Sequence, residues 1–570
     1  MFWRKSQIPP LLLLALLLIF PFPARAQPPL RYTVQADDSL PALADKYYQD
    51  SAAWPALVAA NPALGSGYRL QPGQTLIIPP PAQLDALLAE PAPIDDIAPL
   101  GAAWLANFGA YVEESRRHFQ IPGAAVAIIR PQGIALAQGF GERELSGGRP
   151  VTPETLFGIG STTKAMNAAL IATLVDDGTL NWDSRVAGLW PDFALSEPDA
   201  AAQMRLRHLL NMGSGLPRAD LVWSDSGMSA EQVMQSLADL PVEAPPGARF
   251  EYNNQAVATA GFVAALAAGG QFGQLGETYP RLMRQRIFDP AGMSRATFDI
   301  EAIKAAPNHA TPHDFLLTGA TTPAAFQNDP GIDPAGGVNA SLMDLARFVQ
   351  LQLARGAGPD GRQVISAENL AETWRPQIEL YPGNSYGMGW FVEEYRGVEM
   401  VWHDGDVFGF KSLLVLLPQA NVGLALLSNR TVGYGFSNSI RYHFVEQVYG
   451  LEADAGQYFR DQWTTFIESG LPEAREPLDP APPAAGIAPY LGRYAEGWQV
   501  ARQPDGAVWA SRGGYGWWLW ADDSAGQPGR FVIGNGFGLL SPLNFITGTQ
   551  TITMQVELAT GEVGTYGKLP

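Results

Sequence analysis

Ser161 and Lys164 stand three residues apart in Phe157-Gly158-Ile159-Gly160-Ser161-Thr162-Thr163-Lys164-Ala165-Met166, which opens a helix that stays apolar through Val175 and stops near Gly178. That spacing puts both side chains on one helix face. A serine at a helix N-terminus lies at the positive end of the dipole, where developing negative charge is favoured. A neighbouring buried lysine loses its proton more readily and can then take one from the serine. Two more groups of residues could join this pair. Tyr252 and Asn254 occur in Phe250-Glu251-Tyr252-Asn253-Asn254, on a turn ahead of another apolar helix, and His403 and Gly405 occur in Trp402-His403-Asp404-Gly405, ahead of a strand-like run Leu413 to Leu417. The chain has no cysteine, so disulfides, iron-sulfur clusters, thiolate zinc sites and a cysteine nucleophile are excluded, and any covalent catalysis needs another nucleophile.

The elements that must position these residues follow from periodicity. Trp104 to Phe119 reads as a helix, Gly123 to Arg130 as a strand, Pro131-Gln132-Gly133 as a turn and Ile134 to Phe140 as a second strand, together a β-hairpin. The helix beginning at Ser161 is apolar on nearly all sides and must be buried. With 570 residues, 46% hydrophobic and 16% charged, several folded domains are expected. A net charge of −19 repels phosphate backbones, so no nucleic-acid partner is expected. Met1 to Ala26 carries Arg4 and Lys5, an apolar run Leu11 to Phe20 and Ala24-Arg25-Ala26 before Gln27, the plan of a cleaved signal peptide. The run falls short of the ~20 residues that span a bilayer, so export to the periplasm, the cell wall or beyond is expected, with no stable membrane span after cleavage. Proline-rich stretches at 80–99 and 476–489 read as spacers between a module at 27–79, a large domain at 100–455 and a small domain at 490–570.

In the first module a strand at Tyr32 to Val34, helices at Leu40 to Tyr48 and Ala53 to Ala60, and a strand at Thr75 to Ile78 make a βααβ unit. Tyr32-Thr33-Val34, Leu40, Ala44, Trp54, Asn61 and Leu70 with Pro72 to Pro79 resemble a LysM module. One departure is Asp37-Asp38-Ser39, where that family has Gly-Asp-Thr, so the tight turn must form another way. The resemblance implies binding of N-acetylglucosamine glycans such as peptidoglycan. Asp38, Ser39 and Asn61 are the polar loop residues expected to touch the sugar.

The three groups of the first paragraph, taken together, resemble the Ser-x-x-Lys, Tyr-x-Asn and Lys-Thr-Gly or His-x-Gly signatures of the serine β-lactamase and penicillin-binding protein superfamily. Arg207-His208-Leu209-Leu210, Ser214-Gly215-Leu216, Pro290-Ala291-Gly292-Met293, Tyr386-Gly387-Met388-Gly389-Trp390, Gly409-Phe410, Ser412 and Asn429 extend it over about Ala102 to Leu451. They point to the branch of class C β-lactamases, D-Ala-D-Ala carboxypeptidases, D-aminopeptidases and β-lactamase-like esterases. The resemblance implies an α/β sandwich with an all-α insert and no cofactor. It makes Ser161 the nucleophile, Lys164 its partner, and Tyr252 the base for acylation and for the deacylating water. Asn254 would hold the amide of a small acyl substrate, and the backbone N–H groups of Ser161 and Asp406 would form the oxyanion hole. Tyr252 can act as base near neutral pH only if a cation such as Lys164 lowers its pKa.

His403 departs from the lysine usual in β-lactamases and carboxypeptidases. That lysine is permanently charged toward a substrate carboxylate, whereas histidine is mostly neutral. Efficient β-lactam hydrolysis is therefore in doubt, while esters, amides and D-amino-acid peptides stay open. So does a penicillin-binding or wall-binding protein without turnover. His309 and His313 stand four apart with Pro312 between them, and no metal site is expected there. His208 reads as a hydrogen-bonded core residue. From Tyr490 onward short aromatic runs alternate with Gly and Asp turns, an all-β pattern suggesting a small lipocalin-like barrel with Trp517, Trp518 and Trp520 inside it.

Overall fold

The computed structural model describes residues 30–84 and 98–569, omitting 36–37, 51–52, 62–69, 71–74, 221–226, 316–318, 327–328, 382, 432–434, 471–477, 480–486, 496–497, 503–507, 513–514, 523–529, 535–539, 548–551 and 558–562. The signal segment, Asp37 and most of both proline-rich stretches lie outside the described residues. The chain forms two compact units.

In the first unit β1 (Leu30–Thr33) pairs antiparallel with β2 (Thr75–Ile78), Leu30 opposite Ile78, and α1 (Leu40–Tyr48) and α2 (Trp54–Ala59) lie between them in sequence. Leu40, Leu43, Ala44, Leu57, Leu76 and Ile78 form the buried interior of this unit. Ser39 caps α1 by accepting from the Ala42 N–H at 3.3 Å. The turn that lacks its glycine is closed by a side chain. Asp38 Oδ2 accepts from the Gln35 N–H at 2.7 Å and from the Tyr32 hydroxyl at 2.8 Å. Asn61 corrects an expectation. It is fully buried, its Nδ2 donates to the carbonyls of Leu57 and Ile77, and its Oδ1 accepts from the Ile77 N–H, all at 2.6 Å. A side chain so committed latches α2 to β2 and has nothing left for a sugar.

The second unit opens with α3 (Ala102–His118) and the hairpin β3 (Gly123–Arg130) and β4 (Gly133–Gly141). Two central helices follow, α4 (Thr163–Asp176) and α5 (Asn254–Ala267), buried from Thr163 to Leu174 and from Asn254 to Ala265. With no polar face, neither could stand at the surface. Short helices, among them Val186–Leu189, Leu206–Leu210 and Ala230–Ser236, make the insert between 186 and 305 all-α. After α6 (Leu342–Leu353) come β5 (Ile378–Tyr381), β6 (Asn384–Tyr386), β7 (Phe391–Tyr395), β8 (Val398–Val407), β9 (Phe410–Leu417) and β10 (Val422–Ser428). All eight strands form one antiparallel sheet in the order β4-β3-β10-β9-β8-β7-β6-β5. β3 and β10 sit inside it and read as unbroken apolar runs because α6 covers one face while α3 and α7 (Gly435–Tyr449) cover the other.

Trp402 to Gly405 precedes β9, which holds the expected run Leu413 to Leu417, and itself lies within β8. β7 pairs only with Val398 to Trp402, so from His403 onward β8 is an edge, with Asp404 and Asp406 answered by Lys411 on β9. The last part of the chain is an antiparallel meander from Gly492–Arg493 to Val563–Gly567. Tyr494 bridges Lys568, and the Leu569 N–H donates to the Arg493 carbonyl at 2.8 Å, so the first and last strands meet and the sheet closes. Ile487, Tyr490, Trp498, Val500, Val508, Leu519 and Met554 pack inside it. The side chains of Trp517, Trp518 and Trp520 lie outside what is described. Among the described residues no helix is long and apolar enough to cross a membrane.

Candidate active site

Ser161 sits in a 3-10 turn, Gly160–Thr162, that leads into α4. This turn carries one internal hydrogen bond and receives one from β9. Thr162 Oγ1 donates to the Ile159 carbonyl at 2.9 Å, Ser412 Oγ bonds the same carbonyl, and the two hydroxyls lie 3.0 Å apart. Gly160 has φ +52°, and a Cβ there would stand 2.7 to 2.9 Å from the backbone of Asp406. A Cβ on Gly405 would come within 2.0 Å of the Ile159 carbonyl and 2.9 Å of the Ser161 nitrogen. Two glycines thus let the Ser161 turn lie against β8, close to the backbone of Asp406.

Lys164 is fully buried, and its Nζ lies 2.8 Å from Ser161 Oγ, 2.7 Å from Asn254 Oδ1 and 2.8 Å from the Ala335 carbonyl. Burial pushes its ammonium down to about 7, against the partial support of Asp220. Asn254 Nδ2 donates to Asp220 Oδ1 at 2.8 Å, and Asp220 pairs with Arg218. Each end of the Asn254 amide thus makes one hydrogen bond, and the oxygen helps to place Lys164. Asn253 Oδ1 caps α5 by accepting from the Ala256 N–H at 2.8 Å.

Tyr252 neighbours Ser161, with Lys164 Nζ at 4.9 Å and the Arg218 guanidinium at 5.2 Å from its ring centroid. The expectation that Lys164 lowers its pKa is not met. Burial pushes the phenol well above its ordinary value, with Ser161 and Arg218 as the opposing influences. The cause is reciprocal: the pocket that strips water from Tyr252 also drains Lys164 of its charge, so the lysine has little left to lend.

His403 is likewise a correction. It is fully buried, with Nδ1 against the Asp404 carbonyl and Nε2 2.9 Å from the Tyr386 hydroxyl. A carbonyl can only accept, so Nδ1 carries the proton and Tyr386 donates to Nε2. Burial, with Lys164 nearby, pushes the ring down to about 4, which keeps it neutral. Its nitrogens serve β6 and β8, and it does not offer the substrate contact expected of it. His313 is also spent on backbone, bonding the Asn429 carbonyl at 2.9 Å and the Leu145 N–H at 3.0 Å, while His309 Nδ1 meets the Ala306 carbonyl. His208 is half-buried, its Nδ1 accepting from the Arg205 N–H at 3.3 Å.

Beside the oxyanion position, Lys411 Nζ donates to Asp404 Oδ2 at 2.6 Å and to Asp406 Oδ2. Burial opposes ionisation of Asp404, but Lys411 holds it below the usual range, whereas burial pushes Asp406 up. Arg218, Asp220 and Lys411 were not legible as site residues, because the first two come from one loop and the third from β9, with no fixed spacing to the motifs.

The Beta-lactamase family matches residues 108–446, more than half of the chain. The chain belongs to the β-lactamase family. Within the serine β-lactamase and penicillin-binding protein superfamily it carries an N-terminal LysM domain, matched over residues 32–79. An unguisins hydrolase of Aspergillus campestris is 25% identical over 430 residues, 71% of this β-lactamase-family chain and 77% of that protein. Penicillin-binding protein 4 of Amycolatopsis lactamdurans is 26% identical over 409 residues, 69% of this chain and 97% of that one. The solved octameric penicillin-binding protein homologue from Pyrococcus abyssi shares the β-lactamase-family fold at a TM-score of 0.53 and 22% identity, covering 81% of this chain and 99% of that chain.

Proposed function

We propose that the chain is an exported serine hydrolase that cleaves amide or ester bonds through an acyl-enzyme on Ser161, held on peptidoglycan or a related N-acetylglucosamine glycan by its LysM domain. The surroundings of Lys164 carry this reading. Asn254 Oδ1 and the Ala335 carbonyl can only accept, so they take the two N–H bonds of a neutral amine and leave its lone pair for the Ser161 hydroxyl. Asp220, an acceptor on the far end of Asn254, fixes which way that amide faces. A nitrogen with a pKa of about 7 suits a general base near neutral pH.

In the proposed cycle Lys164 takes the hydroxyl proton as Ser161 Oγ bonds the acyl carbon. The oxyanion lies between the backbone N–H groups of Ser161 and Asp406. Collapse expels an amine or alcohol, which takes up a proton passed from Lys164 through the neutral Tyr252 hydroxyl. Water then attacks the acyl-enzyme, giving its proton to Lys164, and Ser161 regains a proton as the carboxylic acid leaves. The closed C-terminal meander is read as a small lipocalin-like barrel appended to this hydrolase.

Intact-mass analysis tests the nucleophile. A fluorophosphonate adds one phosphonyl group to the wild type and none to Ser161→Ala, and an adduct on the variant removes Ser161 from its role. Steady release of p-nitrophenol from a p-nitrophenyl ester separates a hydrolase from a protein that is acylated once. For the LysM domain, the expected result is that the intact protein pellets with purified peptidoglycan while a chain starting near Pro99 stays in the supernatant. Equal pelleting of the two dismisses the anchor.

A further inference from the structure

Two carboxylates beside the nucleophile share one ammonium. Asp406 stands directly opposite Lys411 in the β8–β9 ladder, Asp404 lies two residues earlier, and Lys411 Nζ bonds both. The lysine side chain is only 3% exposed, while those of Asp404 and Asp406 are 14% and 24% exposed, so the carboxylates form the outer layer of the cluster. Asp406 abuts Gly160, the residue before the nucleophile, and its carboxylate is within electrostatic reach of Arg218, which lies over Tyr252. Asp406 is thus a neighbour of the Ser161 turn, and Asp404 is within electrostatic reach of Lys164 and Tyr252. The charges there do not cancel. Arg218 is paired with Asp220 at 2.5 Å, and Lys411 supplies one positive charge to two negative ones. Lys164, whose ammonium is pushed down to about 7 by burial, supplies only part of a positive charge at neutral pH.

We propose, resting on the hydrolase reading above, that Asp406, with Asp404 and Lys411, selects substrates carrying an ammonium group next to the scissile bond and turns away those carrying a carboxylate there. A substrate ammonium completes the cluster as two pairs. A substrate carboxylate meets a cation already occupied and an uncompensated negative charge, in a site where poor solvation strengthens the repulsion. The substrate class is therefore aminoacyl amides or esters with an unblocked α-amino group, and not acids presented for carboxylate recognition. Asp406 then has two separate parts, its backbone toward the oxyanion and its side chain toward the substrate's charge.

Three probes of one scaffold test this: alanine p-nitroanilide, its N-acetyl derivative and its N-succinyl derivative, each as the D and L forms, with the intact protein near pH 7. Cationic, neutral and anionic probes are expected to rank in that order in kcat/KM, with at least a tenfold gap between the first and the last. Raising the salt to about 0.5 M should narrow the gap, since exposed charges are screened at that ionic strength. Asp406→Asn should shrink the cationic-to-anionic ratio at least fivefold, whatever it does to the absolute rates. Equal rates for the amine and the succinate, a gap indifferent to salt, or an unchanged ratio in the variant each overturn the proposal. A protein labelled on Ser161 that hydrolyses none of the three overturns it as well, while leaving the nucleophile intact. Absence of labelling instead brings down the hydrolase reading, and this one with it.

Discussion

Lys164→Met is expected to lower kcat/KM for a p-nitrophenyl ester by about a thousandfold, within the range for loss of a positioned general base. The variant should also be the more stable protein at neutral pH. The wild type must bury an amine whose folded pKa, about 7, lies below its unfolded value near 10.5. Between those two pH values the unfolded chain binds more protons than the folded one, so wild-type stability rises with pH across that window, and the penalty is full at and below pH 7. Methionine carries no such penalty. Thermal unfolding followed from pH 6 to pH 10 should therefore show a gap in favour of the variant that closes as pH rises. In the wild type kcat/KM should climb with pH through about 7 as the amine loses its proton. A flat pH profile together with a small loss in the variant would take the proton-accepting role away from Lys164.

Gly405→Ala should be as damaging to catalysis for a purely steric reason. Its φ is not in the left-handed region, but the new Cβ would stand 2.0 Å from the Ile159 carbonyl, 2.5 Å from Ser412 Oγ and 2.9 Å from the Ser161 nitrogen. To make room, the nucleophile's turn must separate from β8. That breaks the hydrogen bond from Ser412 to the Ile159 carbonyl and moves one proposed oxyanion amide away from the other. Losing one such donor costs about 100- to 1,000-fold in kcat. Overpacking of this kind adds about 1 to 3 kcal/mol of destabilisation. Steady-state kinetics and urea unfolding of the same preparation check both figures, and wild-type activity in the alanine variant would mean that the two backbones need not touch.

What the residues announced and what they concealed divide along physical lines. Ser161, Lys164, Tyr252 and Asn254 were legible because short fixed spacings place each pair on one helix face or one cap, and the β3–β4 hairpin because its apolar runs flank a Pro and Gly turn. The titration of Tyr252 was not legible, since desolvation belongs to the assembled pocket and reverses what a nearby lysine suggests in isolation. His403 looked like a site residue by position in a motif. Its burial follows from Tyr386 and from neighbours on β7, aromatic residues more than ten positions away. Asn61 looked like a glycan contact because it is a polar side chain in a loop, and only the pairing of Ile77 with it reveals a latch. Lys411 and Asp220 belong to contacts made in space, 7 and 34 residues from their partners Asp404 and Asn254, where no periodicity operates.

The order of the strands also governs when activity can arise during synthesis. β3 is made early, but its inner neighbour is β10, and the Gly123–Ala124 end of the hairpin waits for Ser428 and Asn429. The turn carrying Ser161 waits likewise for Ser412, 253 residues beyond the carbonyl it bonds. A nascent chain that has emerged through α5 holds the serine, the lysine, the tyrosine and the asparagine, yet neither the second oxyanion amide nor the strand that seats the first. A chain released before β8 and β9 are made therefore lacks the strands that seat the Ser161 turn, and the proposed hydrolase site can assemble only after both have emerged.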